Sequence, residues 1–244
     1  MAEKTADRSN SERRISLVDE LYVSLRDRII TWEIYPDEIL VETRVGQEFG
    51  VSKSPAREAL ALLCQDNLVE AIPRVGYRVT PISIQDVHEV YDLRQILEGE
   101  AASVAAARAS KAEVEALLES DVSWGERLRN TDASPREYLR FHDAFHLGIA
   151  ELSGNRRLHH FIHRLLLDGA RLRMADPQMT IGGLPEEQED SRGICAALVQ
   201  QDGKAAAQIL QEHIRRSKAR ILEYLVTATS SRLRGLRIGR RGDG

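Results

Sequence analysis

The sequence predicts a mainly α-helical protein with two domains: a small N-terminal unit of three helices and a β-hairpin, and a C-terminal antiparallel bundle of six to seven helices. Three observations support this prediction. Apolar residues recur every three or four positions through most of the chain, which is the spacing of one helix face. Ala and Leu are abundant while aromatic residues make up only 5% of the chain, which favours helices over sheets. A Ser followed three residues later by an acid, a signature of helix starts, opens three of the predicted segments.

The N-terminal domain is expected to cover residues 17–80. In order, we expect helices over 17–31, 41–49 and 55–67, then β-segments over 68–72 and 77–80 around a turn at 73–76. The apolar face of the first helix holds Leu21, Leu25 and Ile29. Two short helices joined by a turn that contains Gly50 are a known supersecondary unit. With the hairpin after them they form a winged helix–turn–helix, and Arg74 lies at the tip of the wing.

The start of the third helix is the most informative segment of the chain. We expect Ser54 to cap this helix and Pro55 to occupy its first position, where the missing N–H has no intrahelical partner. Its apolar face holds Ala56, Leu60 and Leu63. Lys53 and Arg57 add two cations beside the positive end of the helix dipole. This arrangement attracts an anion such as phosphate, or a guanine edge.

The C-terminal domain is expected to cover residues 83–227 and to contain only helices. We expect helices over 83–109, 110–129, 134–153, 155–174, 186–201 and 204–227. Three of them start with capping pairs, namely Ser83 with Asp86, Ser110 with Glu113, and Ser134 with Glu137. The loop after the fourth holds Pro177, Gly182, Gly183 and Pro185. Helices joined in this way form an antiparallel bundle.

Composition limits the possible functions. The net charge is −4 and residues 1–80 are themselves acidic, so any DNA binding depends on a local cationic patch. The two cysteines have no metal-type spacing, which predicts a reducing cytoplasm. Residues 1–16 are too polar for a signal peptide, and no apolar run is long enough to span a membrane. We therefore expect a cytoplasmic protein with a disordered tail at 1–16 and a basic flexible tail at 228–244.

Three blocks of sequence resemble the GntR family of bacterial transcription regulators, in its FadR-like branch. They are VSKSPAREAL at residues 51–60, VYDLRQILE at 90–98, and FHLGIAELSGN at 145–155. The resemblance covers about residues 17–226, and the three blocks have the order and spacing of that family. It implies an all-helical effector domain and a homodimer that places two recognition helices in successive major grooves of a near-palindromic operator.

The resemblance also implies which residues contact double-stranded operator DNA. By position these are Arg44, Ser52, Lys53, Ser54, Arg57, Arg74 and Gly76. The alternative for Arg44 is a solvated helix charge, and for Arg57 it is an ion pair with a neighbouring acid. The family more often has Arg where this chain has Lys53, so a bidentate guanine contact becomes a point-charge contact with weaker base discrimination.

Members of this family often bind a divalent metal in the helical bundle, through an Asp or Asn and three histidines. Here His142 stands at the Asp position, His146 matches the first His, Ser191 replaces the second, and His213 matches the last. The resemblance thus implies effector binding by Arg94, His142, His146, Ser191 and His213. Three of these, His142, His146 and His213, can hold Zn²⁺ or Ni²⁺ with an open position. Asp143 is a weaker candidate ligand.

Two alternatives to this site stay open. The altered ligand set is also compatible with a cavity that has lost its metal and binds an organic ligand alone. Arg94 suits a bidentate contact with an effector carboxylate, but it can equally form an ion pair with Glu98, one helical turn further on.

The function predicted from the sequence is that of a ligand-responsive DNA-binding regulator. We expect a repressor that is controlled by a small organic acid or sugar acid and is not an enzyme. The main alternative is a metal-dependent hydrolase that uses the histidines of the bundle, although no carboxylate is clearly placed as its general base and hydrolysis gives no reason for the winged domain. A dimerisation scaffold with an inert bundle is a further alternative.

Overall fold

A computed structural model describes residues 17–130, 133–176 and 184–239. It divides the chain into two compact units, which meet in sequence between Ile82 and Ser83. The described chain is mainly helical, as predicted. The predicted tail at 1–16 and the end of the predicted tail at 240–244 lie outside the described residues. None of the described helices is both long and apolar enough to cross a membrane.

The first unit is a winged helix–turn–helix. Its helices are α1 at residues 17–30, α2 at Glu42–Glu48 and α3 at Lys53–Gln65. Its strands are β1 at Ile39–Leu40, β2 at Val69–Ile72 and β3 at Gly76–Val79, paired antiparallel in the order β1–β3–β2. The sequence interpretation placed Ile39 in a connector and missed β1. A strand of two residues leaves no alternation to detect, and it exists because Ile39 and Leu40 pair with the edge of the hairpin.

The core of this unit forms where the apolar faces of α1 and α3 meet the inner face of the sheet. The predicted core residues of both helices are buried, namely Leu21, Leu25, Ile29, Ala56, Leu60 and Leu63. Val69 and Val79 of the hairpin close the same cluster. This packing fixes α3 from behind and leaves its other face exposed to solvent.

The start of α3 differs from the prediction by two residues. The helix begins at Lys53 with Ser52 in the N-cap position, so Ser54 is not the cap, and the Ser52 side chain makes no capping hydrogen bond. Pro55 is the third helical residue rather than the first, and it is buried. Proline is tolerated there because none of the first four N–H groups of a helix has an intrahelical partner.

The second unit contains six helices in the described residues. They are α4 at Ile84–Arg108, α5 at Lys111–Arg129, α6 at Pro135–Leu152, α7 at Arg156–Arg173, α8 at Leu184–Val199 and α9 at Gly203–Gly239. The predicted capping boxes at Ser83, Ser110 and Ser134 are all formed. The prediction was wrong for Pro185, which lies in the first turn of α8 instead of the preceding loop. Helix α9 also extends beyond the predicted end at residue 227, to Gly239.

Helix α4 is the central element of the bundle. It packs against α6, α7, α8 and α9, and its middle is therefore buried on most sides. Small side chains such as Ala101, Ala102 and Ala105 allow this close packing. The same burial encloses two charged residues of α4, Arg94 and Glu98, which are each 1% exposed. Buried charges of this kind persist when they are paired, and their partners lie in the site described next.

Candidate nucleic-acid interface and metal centre

The exposed face of α3 carries most of the predicted DNA-contacting side chains. Lys53, Ser54 and Arg57 are all exposed, and so is Arg44 on α2. The Lys53 ammonium lies 3.2 Å from a carboxylate oxygen of Glu42 at the start of α2. Among the residues that the structure describes, no acid lies within ion-pair distance of Arg57 or Arg44. Arg57 is therefore the cation on α3 whose charge is not neutralised by an acid of the described residues, and it is available to an anionic partner.

The wing presents Arg74 at its tip, exposed and with a φ of 66°. Gly76 follows at the start of β3 with a φ of 145°, in the region that favours glycine. A Cβ at this position would lie 2.5 Å from the carbonyl oxygen of Leu40. The close approach of β1 to the hairpin is therefore a structural reason for Gly76, separate from any contact with DNA.

The three predicted histidines meet in the second unit. His142 and His146 lie one turn apart on α6 with stacked rings, whose centroids are 4.4 Å apart, and His213 approaches from α9. All three are buried, and one ring nitrogen from each lies within 4.8 Å of the others. We call these three residues the histidine site. Among the described residues they form the only such group of potential metal ligands.

Each imidazole of the histidine site has a carboxylate beside its Nδ1 atom. His213 Nδ1 lies 2.8 Å from Asp190 on α8, and His146 Nδ1 pairs with Glu98 on α4. His142 Nδ1 has a longer contact of 3.4 Å with the neighbouring Asp143. These contacts leave Nε2 as the nitrogen of each ring that is available to a metal. Carboxylates in this position fix the tautomer and orientation of metal-binding histidines.

An arginine stands behind each of these carboxylates. Arg94 Nε donates to Glu98 at 2.7 Å, Arg173 Nη2 donates to Asp143 at 2.6 Å, and Arg216 pairs with Asp190. The site is thus built from three histidine–carboxylate–arginine chains, here called relays. Burial opposes ionisation of these carboxylates. His213 and Arg216 overcome it and lower the pKa of Asp190, whereas at Asp143 burial still raises the pKa although Arg173 acts against it. The carboxylates in turn orient the rings.

Burial sets the protonation states of the relay that starts at His146. It lowers the pKa of His146 to about 4, even though Glu98 favours the charged ring. It also lowers the pKa of His142. Burial alone would raise the pKa of Glu98, but Arg94 and His146 outweigh it and bring that pKa to about 2. Two of the rings are therefore neutral at pH 7, which is the state that binds a metal.

A cavity of about 20 Å³ adjoins the histidine site, enough space for about one water molecule. Its polar wall includes Ser191 and, from α5, Asp121. The Ser191 hydroxyl donates to the Glu187 carbonyl at 3.0 Å. Its apolar wall is formed by Phe141, Phe145, Ile194 and Leu210. Three buried imidazoles, two of them neutral at pH 7, with carboxylates nearby to balance a positive charge, fit a divalent ion that prefers nitrogen ligands, such as Zn²⁺ or Ni²⁺.

Asp121 is a site residue that the sequence interpretation missed. It is 5% exposed, and its Oδ2 atom has no hydrogen-bond partner among the described residues. Burial raises its pKa to about 6, although Ser191 and Arg192 act in the opposite direction. It lies in the middle of an amphipathic helix and no motif surrounds it, so nothing in the sequence distinguished it from a surface acid.

Arg94 does not line the cavity as an effector anchor would. It is buried against Glu98, in the ion pair that the sequence interpretation had kept as an alternative, and its Nη2 atom has no partner among the described residues. Ser191 does line the cavity, and so do the three histidines. Four of the five predicted effector-binding residues thus come together, and the fifth lies behind Glu98.

Comparison with known proteins agrees with this architecture. Residues 17–79 match the family model described as bacterial regulatory proteins of the gntR family. Residues 89–216, just over half of the chain, match the model of the FCD domain. The two matches correspond to the two structural units.

Individual relatives are similar over long stretches. YdhC of Bacillus subtilis (strain 168), an uncharacterized HTH-type transcriptional regulator, is 31% identical over 146 residues, which are 60% of this chain and 65% of YdhC. The chain thus spans slightly less than two thirds of that relative. GlaR of Escherichia coli (strain K12), an HTH-type transcriptional repressor, is 28% identical over 199 residues, or 79% of this chain and 90% of GlaR.

A solved structure shows the same arrangement of elements. The crystal structure of a GntR transcriptional regulator from Rhodococcus sp. RHA1 matches with a TM-score of 0.66 and 25% identity, over 85% of this chain and 98% of that one. The family model that matches the first unit describes bacterial regulatory proteins. This chain therefore belongs to the GntR family of transcriptional regulators, with a winged helix–turn–helix followed by an FCD domain.

Proposed function

We propose that this regulator is a repressor that binds a near-palindromic operator as a homodimer. A small organic acid controls its affinity for DNA, and this acid binds to a metal in the histidine site. The observation that carries the proposal is the set of three relays around one buried cavity. A structural core has no need of three buried imidazoles that are held in one orientation with Nε2 available. The similarity to GlaR, whose name describes a repressor, supports repression rather than activation. Since operator DNA lies in the bacterial cytoplasm, the proposal places the protein there.

The DNA-binding part of the proposal assigns the base contacts to the start of α3. Arg57 would read the major groove or bind a phosphate, and Arg74 would reach the backbone or minor groove from the wing. Lys53 shares its charge with Glu42 and lacks the fork of an arginine. Lys53→Arg should therefore sharpen discrimination among operator variants, and unchanged discrimination would remove Lys53 from the base contacts.

The metal part of the proposal assigns His142, His146 and His213 as ligands. A divalent ion at these residues would supply a positive, Lewis-acidic position for a carboxylate. Ser191 is too short to reach as the histidine of related sites does, so it leaves space beside the ion. The relay arginines pair with Glu98, Asp143 and Asp190, and these carboxylates keep the rings in one tautomer.

The homodimer part of the proposal is supported by an exposed apolar stripe on α4 and α7. The two helices pack antiparallel, since Val90 lies beside Gly169 at one end and Arg108 beside Gly154 at the other. The stripe consists of Leu93, Ile96 and Phe161, which are 48%, 62% and 57% exposed. Apolar side chains this exposed, on two helices that pack against each other, are typical of an interface.

Charges at the edges of the stripe fit a second copy of the chain. On α4, Glu89 and Glu100 lie one turn before Leu93 and one turn after Ile96. On α7, Arg157 and Arg164 lie on either side of Phe161. A two-fold arrangement that places α4 on the partner's α7 matches acids with arginines twice. Self-complementarity of this kind favours a dimer over an unrelated partner.

An operator selected from random DNA sequences by the full chain tests the whole proposal. The chelator-treated protein and the Zn²⁺-loaded protein are then titrated with that operator, with and without a panel of small acids, by fluorescence anisotropy. We expect at least one acid to change the operator Kd at least fivefold, and only in the metal-loaded protein. Equal operator affinity under all conditions would contradict ligand control. Failure to select any operator would contradict the DNA-binding part.

A further inference from the structure

The cavity beside the histidine site contains one acceptor that the protein leaves without a donor. Asp121 is buried, it lines the cavity, and its Oδ2 atom has no partner among the described residues. A buried carboxylate oxygen without a donor is costly, because its interaction with water is lost and nothing replaces it. Such an atom in a ligand cavity indicates the chemistry of the group that completes it.

The other two acids in the cavity wall already have hydrogen-bond donors. The Tyr138 hydroxyl donates to a carboxylate oxygen of Glu187 at 2.8 Å. Asp190 accepts from His213 and Arg216 as part of a relay. Of the three acids that line the cavity, Asp121 is thus the one that still needs a donor.

Asp121 does not belong to the group of metal ligands. The set of ligand atoms within 4.8 Å of one another contains the three histidines and does not extend to Asp121. A small molecule in the cavity would therefore have two different neighbours. A metal ion in the histidine site would bind its carboxylate, and the Asp121 oxygen would accept a hydrogen bond from another of its groups. Ser191 borders the same space. Since that space holds about one water molecule, an effector has to move the surrounding side chains apart when it binds.

We propose that Asp121 selects the effector by accepting a hydrogen bond from a donor next to the effector's carboxylate, so that the effector is a small 2-hydroxy acid or 2-amino acid. This inference rests on the proposed control by a metal-bound acid. Hydroxyl and ammonium groups on the neighbouring carbon share the required chemistry. A plain carboxylic acid would leave Asp121 unsatisfied and bring a second negative charge towards it. The apolar wall of Phe141, Phe145, Ile194 and Leu210 suits a short aliphatic remainder.

Calorimetric titration of the Zn²⁺-loaded full chain tests this inference with matched ligands. Lactate, alanine and propionate share a three-carbon skeleton and differ in the group on the second carbon. We expect lactate or alanine to bind at least tenfold more tightly than propionate, since a site built around a hydrogen bond rejects the analogue that lacks the donor. A preference for lactate identifies a hydroxyl donor, and a preference for alanine identifies an ammonium donor.

Variants of Asp121 assign the selectivity to this residue. Asp121→Ala should abolish the preference by weakening the favoured ligand about tenfold or more, while propionate binds as well as before or better. Asp121→Asn keeps an acceptor of the same shape and should retain part of a preference for lactate. The control is Glu119→Ala, which removes an exposed acid from the same helix and should change neither affinity.

The possible failures are distinguishable. Equal binding of lactate, alanine and propionate by the unaltered protein overturns the role of Asp121 and leaves control by an acid intact. A preference that survives Asp121→Ala has the same consequence. If the metal-loaded protein binds none of the three acids, nor any other member of the panel, the proposed control by an acid and this inference are both overturned.

Discussion

Asp190 on α8 lies 2.8 Å from Nδ1 of His213 on α9 and also pairs with Arg216, one turn further along α9. This relay is the most exposed of the three, since the side chain of Arg216 is 36% exposed whereas Arg94 and Arg173 are each 1% exposed. A change at Asp190 therefore disturbs folding least. It is the best position at which to separate orientation of a ligand from stability of the bundle.

Asp190→Asn is predicted to weaken metal binding. Asn keeps the shape of Asp and can still accept a hydrogen bond from Nδ1, but it removes the negative charge that makes the ring a stronger ligand. Loss of such a partner typically lowers metal affinity by about 10- to 100-fold. Competition with a chromophoric Zn²⁺ chelator measures the change. Glu189→Gln, which alters an exposed neighbour, is the control, and an unchanged Zn²⁺ affinity in Asp190→Asn would contradict the relay.

Local signals explain why much of the fold could be predicted from sequence. The capping boxes at Ser83, Ser110 and Ser134 are contacts between residues three positions apart, so the sequence contains all of their information. The burial of Leu25 and Leu60 follows from helical spacing in the same way. The start of α3 was misplaced because Ser52 and Ser54 both suit a cap, and only the chain path chooses between them.

The candidate site could be predicted only in part, because its parts come from different helices. His142 and His146 share a turn of α6, so their proximity follows from their spacing alone. The carboxylates Glu98 and Asp190 reach the rings from α4 and α8, and no spacing in sequence encodes which helices pack together. Asp121 depends entirely on this packing, which is why it could not be recognised beforehand.

Replacement of Asp121 by Asn is predicted to stabilise the metal-free protein more at neutral pH than at acidic pH. Burial raises the folded-state pKa of Asp121 to about 6, above its usual value of 3.8, so the folded state holds this proton more tightly than the unfolded state does. Ionisation therefore costs stability as the pH rises through 6. Asn cannot ionise and avoids this cost, which is on the order of 1–2 kcal/mol after allowance for partial solvation.

The measurement is the thermal midpoint of Asp121→Asn and of the unaltered chain, in chelator, at pH 4.5 and pH 8. We expect a higher Tm for the variant at pH 8, by roughly 2–6 °C, and a clearly smaller gain at pH 4.5, where ionisation of Asp121 in the unfolded state has only begun to cost stability. Glu119→Gln, at an exposed position on the same helix, should show no difference at either pH. A gain of equal size at both pH values would show that packing rather than charge is responsible.

Arg57→Ala is predicted to weaken operator binding more than any other single change on α3. Arg57 is exposed, and no acid in the described part of the chain competes for it, whereas the charge of Lys53 is shared with Glu42. Loss of a base or phosphate contact of this kind costs about 1–3 kcal/mol of binding free energy. Anisotropy titrations of a labelled operator at several salt concentrations measure the change.

The salt dependence of Arg57→Ala separates the two kinds of contact. A phosphate contact reduces the slope of log K against log salt by about 1 and weakens all sequences alike, whereas a guanine contact relaxes preference at one base pair. Arg215→Ala on α9 removes the same charge from the FCD domain and is the control. Equal operator affinity of Arg57→Ala and the control would exclude Arg57 from the interface.

Ile96→Glu is predicted to dissociate the homodimer. Ile96 is the most exposed of the three apolar side chains in the stripe, at 62%, and the new carboxylate would join Glu89 and Glu100 on the same helix. The stripe would then lose apolar contact area and gain repulsion wherever α4 meets its partner. Sedimentation velocity should show a monomer at micromolar concentration, where the unaltered chain is a dimer. Operator affinity should fall because two half-sites are no longer bound together.

Val199→Glu, which charges an exposed apolar position on α8, is the control and should remain a dimer. A dimer that persists in Ile96→Glu would show that the two copies meet through another surface.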